Sequence, residues 1–83
     1  MDFVLTQHAA QVLESLPRKT IQTEWIERTL TAPDHQDTDR RNGRIRVWKR
    51  IPENGNRALR VVYEPDSDPI EIVTVFFDRG FKL

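Results

Sequence analysis

Three runs of alternating apolar side chains, separated by short links rich in Pro, Gly, Asn and Asp, fill the second half of this 83-residue chain. They span about 44–51, 57–64 and 70–77. A period of two is the signature of a strand with one buried face. The links between them, Pro52-Glu53-Asn54-Gly55-Asn56 and Pro65-Asp66-Ser67-Asp68-Pro69, are too short for the crossover that parallel neighbours require. The runs are therefore expected to pair antiparallel, and Asn54-Gly55 is a strong hairpin signal. Arg41-Asn42-Gly43 reads as another turn, preceded by a short polar strand within 34–39.

The first half reads as helical. Thr6 can cap a helix running to about Leu16, with Ala9, Val12, Leu13 and Leu16 on one stripe. Pro17-Arg18-Lys19-Thr20 interrupts it. A second helix is expected over about 23–30, with Ile21 stapling onto Ile26 and Ala32-Pro33 as the stop. The pattern predicts a single α+β domain over residues 1–83, with two N-terminal helices packed on one face of a three- to four-stranded antiparallel sheet. Residues 80–83 form a short tail or an added turn.

Charge is the second constraint. Lys and Arg balance Asp and Glu at thirteen each, yet residues 40–60 hold eight of the thirteen bases against one acid, Glu53. Such segregation gives a local positive field that a phosphate ligand or an acidic partner would meet. Overall neutrality argues against a general nucleic-acid coat protein. The absence of Cys removes disulfides, thiolate nucleophiles and zinc–thiolate sites. The two histidines, His8 and His35, fit no common metal-ligand spacing, so neither metal nor cofactor is expected. No apolar run approaches the roughly 18 residues of a membrane helix. The first residues lack the basic region and apolar core of a signal peptide, so no membrane association and a cytoplasmic setting are expected.

Alternation places Arg44, Arg46, Trp48 and Arg50 on one side of the first strong strand, opposite Ile45, Val47 and Ile51, with Lys49 the exception on the apolar side. Guanidinium groups around an indole can hold a nucleic-acid backbone and stack a base. The same pattern also serves as a solvated face that discourages edge-to-edge aggregation. Arg60 shares its side with Ala58 and Val62, so it needs an anion or acceptor nearby; an internal partner such as Glu14 or Glu71 is the alternative. Thr74, in line with Ile70, Ile72 and Phe76, can contact a phosphate or bond locally. His8 falls in the first turn of the first helix, where the dipole favours a neutral imidazole able to accept a proton. His35 lies in an acidic stretch and reads as a solvated loop or edge-strand residue. Tyr63 and Arg79 are secondary candidates.

Several short motifs, in order, resemble a family of small bacterial and phage-type proteins classed as a domain of unknown function. They are Thr-Gln-His-Ala at 6–9, Glu24-Trp25-Ile26-Glu27, Lys49-Arg50, Leu59-Arg60-Val61-Val62-Tyr63 and the run from Ile72 to Arg79. That family looks distantly related to RelE/ParE/BrnT-like toxins of the barnase–EndoU–colicin–RelE ribonuclease fold group. The resemblance implies a RelE-like fold, metal-independent RNA cleavage and a small antitoxin protein from an adjacent gene. It assigns His8, Arg60 and Thr74 to catalysis, and Lys49 or Arg50 to a basic position. Two departures stand out. The family often has arginine where this chain has Val12, and Ser or Thr where it has Gln22.

Three functions follow as expectations. The first is a toxin-like ribonuclease, with His8 as base or acid, Arg60 and Arg50 on the phosphate and Thr74 orienting it. The second is a non-catalytic module binding RNA or an acidic protein through Arg44, Arg46, Trp48 and Arg50, with Lys49 and Arg79 as further candidate phosphate contacts. The third is an oligomerising protein with an exposed apolar edge at Val73, Val75 and Phe77. Monomer and homodimer are both compatible with the sequence.

Overall fold

The computed structural model describes residues 2–15 and 21–81. The expected helix interruption at 17–20, Leu16, and the tail residues 82–83 lie outside the described residues. The elements run β1 (Phe3–Leu5), α1 (Gln7–Ser15), α2 (Thr23–Thr31), β2 (His35–Thr38), β3 (Ile45–Ile51), β4 (Arg57–Glu64) and β5 (Ile70–Phe77). The sheet has five strands in the order β1-β5-β4-β3-β2. The fold is α+β, as expected, but the sheet is mixed and a strand precedes the helices. β1 pairs parallel with β5, bringing Leu5 beside Ile72, while the other pairings are antiparallel. β1 spans only three residues, too short to show a period in the sequence.

Both helices lie on one face of the sheet. Ala9 of α1 and Ile26 and Leu30 of α2 share a buried core with Val47 and Ile51 of β3, Leu59 and Val61 of β4, and Ile72 and Val75 of β5. Ile21 joins this core with Ile26, and the two stand on either side of the Gln22 cap at the positions of a hydrophobic staple. At the start of α1 the Thr6 hydroxyl accepts the Ala9 N–H at 3.2 Å, the expected cap. Gln22 occupies the N-cap of α2 without a side-chain cap bond. Inside that helix Thr29 is fully buried and donates its hydroxyl to the Trp25 carbonyl at 2.8 Å.

One irregularity changes which residues of β5 meet the helices. Val62 pairs with Thr74 and Tyr63 with Ile72, so Val73 is an extra residue, a β-bulge. Ile70 and Ile72 face the helices before the bulge, and Val75 and Phe77 do so after it. Thr74 and Phe76 move to the opposite face, beside Val62 and Arg60. Simple alternation put Thr74 and Phe76 in line with Ile72; the bulge reverses that. It also removes the apolar edge expected at Val73, Val75 and Phe77. Val75 is fully buried, Phe77 packs edge-on against Trp25 with ring centroids 6.1 Å apart, and Val73 is half-buried. Among the described residues the large apolar side chains that are exposed, Val4 and Leu5, belong to the edge strand β1.

The β3–β4 connection is a hairpin, but not a two-residue Asn-Gly turn. Pro52–Asn54 form a 3-10 turn, and Gly55 and Asn56 follow with φ of 66° and 59°, both left-handed. Gly reaches this region at no steric cost, and Asn tolerates it better than most residues. Glu53 anchors the loop to α2. Its two carboxylate oxygens accept from Arg28 Nη1 and Nη2 at 3.0 and 2.9 Å.

Two predictions test this packing. Thr74→Asn lies on the helix-free face and should cost less than about 1 kcal/mol, whereas Val75→Asn buries an unpaired amide in the core and should cost about 3 kcal/mol or more in urea unfolding. Equal costs would restore the unbulged alternation. The Arg28 guanidinium also holds the Glu53 carboxyl down at about 2, against an ordinary value of 4.5. Because the folded value is depressed, the contribution is fully present above about 4.5 and is lost as pH falls toward 2. The urea midpoints of wild type and Glu53→Gln should therefore differ at pH 6 and close most of that gap as pH falls to about 2; a gap as wide at pH 2 as at pH 6 would contradict the ion-pair account.

Candidate nucleic-acid interface

The face opposite the helices is assembled by strand parity. His35 stands across from Trp48, and Asp37 across from Arg46. Trp48 is paired with Arg60, Arg60 with Phe76, and Val62 with Thr74. Arg44, Arg46, Trp48 and Arg50 thus share one face, as alternation predicts. Lys49 points to the helix side, where its ammonium donates to the Ala32 carbonyl at the end of α2 at 2.7 Å and lies 3.6 Å from Asp34. A cation there complements the negative end of the helix dipole.

Much of the positive charge clustered in sequence is neutralised in space. Arg46 Nε donates to Asp37 Oδ1 at 2.6 Å. Arg44 Nε lies 3.5 Å from Glu64 Oε2. Arg60 Nη1 lies 3.8 Å from Asp78 Oδ2, so its acid is Asp78, neither Glu14 nor Glu71. The Arg60 guanidinium also sits 5.1 Å from the centroid of Phe76 and 5.5 Å from that of Trp48. Flanking ring faces stabilise a cation held off water.

Asp78 joins several of these groups. Oδ2 accepts the Trp48 indole N–H at 3.0 Å, and Oδ1 accepts the Gly80 N–H at 3.0 Å. The Phe81 N–H approaches the Asp78 carbonyl at 3.4 Å. This turn lays Phe81 on Trp48, with centroids 5.0 Å apart and planes 11° from parallel. His35 completes the cluster at 5.3 Å from Trp48 and 5.6 Å from Phe81. The indole, only 6% exposed, is already stacked; the more accessible rings are those of Phe81 and His35. Sequence reasoning missed Asp78, Phe81 and His35 as one group. The run Asp78-Arg79-Gly80-Phe81, an acid followed by Gly after a strand, is the signal that marks the turn.

Beside this cluster a cleft of about 480 Å³ opens where the β3–β4 loop meets the end of β5. Arg50, Arg57 and Arg79 line it with Asn56, Asp78 and Phe81. Arg50 is fixed by a 3.1 Å bond from Nη1 to the Asn56 carbonyl, and its backbone N–H donates to Asp34 at 2.9 Å. Arg57 and Arg79 are exposed and have no carboxylate partner among the described residues. Arg50 and Arg79 are thus brought together by the fold, and Arg57 is an addition that sequence reasoning passed over.

The three residues that the resemblance assigned to catalysis divide between layers. Arg60 and Thr74 share the helix-free face on adjacent strands. His8 is exposed on α1, which packs on the opposite face through Ala9 and Leu13. The imidazole that shares a face with Arg60 is that of His35.

Asp78→Ala should release the indole, the turn and Arg60 together. In a Trp25→Phe background, Trp48 emission should shift to the red and stability should fall by about 1–3 kcal/mol. An unchanged spectrum would show that Asp78 does not hold this cluster.

No curated protein and no solved structure matches the chain. Residues 5–77 match the profile of a domain of unknown function, DUF4258. The match runs from the end of β1 to the last residue of β5, and so takes in both helices and four of the strands in full. On that coverage the chain belongs to the DUF4258 family of domains of unknown function.

Proposed function

We propose that the protein is a non-catalytic RNA-binding module that holds a single strand along the helix-free face of its sheet and into the arginine cleft at the sheet's end. The observation that carries this reading is the adjacency of an arginine cleft to a cluster of aromatic rings, of which Phe81 and His35 are the more accessible. Arg50, Arg57 and Arg79 line a cleft whose wall includes Phe81, and Phe81 is stacked into the Trp48–His35 cluster. Cations that track a backbone, beside rings on which bases stack, are the two components of single-strand recognition. An acidic protein would use the cations but has little call on the rings.

The toxin-like ribonuclease is the catalytic version of the same proposal. Kinship with RelE-like toxins, a small neutralising protein and a cytoplasmic setting belong to that version. Metal-free cleavage needs a base for the ribose hydroxyl and an acid for the leaving oxygen close to the cations on the phosphate. His8 stands on the helix layer while Arg60 and Thr74 stand on the open face, which favours binding over turnover.

Fluorescence anisotropy with a labelled single-stranded RNA tests both versions. Three arginine–phosphate contacts imply a log–log salt slope of about −2, so affinity should fall about 10- to 20-fold between 50 and 200 mM salt. The RNA should remain intact in EDTA. Salt-insensitive binding would end the RNA reading, and cleavage in EDTA that disappears in His8→Ala would establish the catalytic version instead.

A further inference from the structure

The cleft holds an excess of positive charge that the fold does not neutralise. Its one lining carboxylate, Asp78, is engaged elsewhere: Oδ1 accepts from Gly80, and Oδ2 accepts from Trp48 and faces Arg60. Arg50, Arg57 and Arg79 therefore face the cleft without an acid of their own among the described residues. Arg50 is held by the Asn56 carbonyl, so one guanidinium is placed before any ligand arrives. The volume, about 480 Å³, lies within the range of small-ligand sites.

This arrangement discriminates among phosphates. An internal phosphodiester carries a single charge and offers two free oxygens. A terminal monoester carries close to two charges near neutral pH and offers three acceptor oxygens. Three guanidinium forks against one engaged carboxylate match the second species better than the first. Phe81, on the wall of the same cleft, presents a ring to the nucleoside attached to that phosphate.

We propose that the cleft is a terminal-phosphate pocket: it takes the phosphate monoester at the end of an RNA strand, and the terminal base stacks on Phe81. The inference rests on the RNA-binding reading and names the part of the strand that this reading leaves open. It makes the protein a reader of RNA ends, with Arg57 and Arg79 as the selecting residues.

The test compares one short single-stranded RNA in three forms: 5′-phosphorylated, 3′-phosphorylated, and hydroxyl at both ends. One phosphorylated form should bind about tenfold to a hundredfold more tightly than the hydroxyl form, and the form that does so identifies the end recognised. Arg57 and Arg79 are exposed, so Arg57→Ala/Arg79→Ala should fold normally. In that variant the ratio should fall to near one. Phe81→Ala should weaken all three forms together, with Trp48 emission reporting whether the cluster survives. Equal affinity for all forms, or a preference that persists in the double variant, would overturn the pocket while leaving RNA binding intact. Failure of every form to bind would overturn both.

Discussion

The two-sidedness of β5 is the constraint on which the rest of this structure depends. A regular strand would carry Ile72, Thr74 and Phe76 to the helices. The extra residue at Val73 keeps Ile72 and Val75 in the core and sends Thr74 and Phe76 to the other face. The bulge is tied to the start of α1 through Thr6. Its hydroxyl caps the helix by accepting from Ala9 and lies 3.4 Å from the Val73 carbonyl, while the Thr6 N–H donates to Ile72 at 3.0 Å. One residue thus joins β1, the first helix and the irregularity that divides the sheet into an apolar face and a charged, helix-free one. A chain of this size has one small core, and a single misfiled β5 side chain would reach it directly.

On the helix-free face, electrostatics are organised by what is left over rather than by what is present. The basic run of the sequence becomes a set of local pairs: Arg46 with Asp37, Arg44 with Glu64, Arg60 with Asp78. These pairs are half-buried, and each cancels the field of the residues it joins. Three arginines whose guanidinium groups no carboxylate joins among the described residues, Arg50, Arg57 and Arg79, meet at one end of the sheet and come from three different segments. The Glu53–Arg28 pair holds the loop that forms one wall, and the Asp78 turn holds Phe81 in the other. Fold and site are therefore connected through two short loops of opposite character, one pinned by charge and one by a carboxylate accepting N–H groups.

Much of the fold was legible because it is local. The boundaries of β4 and β5, the two helices, the Thr6 cap and the facing of Arg46, Trp48 and Arg50 all follow from period, caps and turns within a few residues. β1 was not legible: three residues show no period, and their partner lies at the far end of the chain. The bulge was not read either: the run from Ile72 to Phe77 is apolar at nearly every position, and Thr74 falling in line with Ile70 and Ile72 was the one sign of a change of phase. The site was partly legible. The arginines announced themselves by density, but their neutralisation did not, since Trp48 and Asp78 are thirty residues apart in sequence and share a hydrogen bond. His35 looked like loop because its acidic neighbours mask a pairing with Trp48 that only the sheet creates. The family resemblance agreed with the coarse result, a domain of unknown function, and carried a histidine onto the layer opposite its supposed arginine partner.

The central claim is that ligand recognition belongs to the helix-free face together with the arginine cleft at the adjoining end of the sheet. Backbone and arginine side-chain resonances followed by nuclear magnetic resonance during titration with single-stranded RNA test it most directly. The account predicts shifts at Arg50, Arg57, Arg79, Phe81 and His35, with α1 and α2 unmoved. Shifts centred on His8 and the exposed side of α1, with the cleft arginines silent, would contradict it.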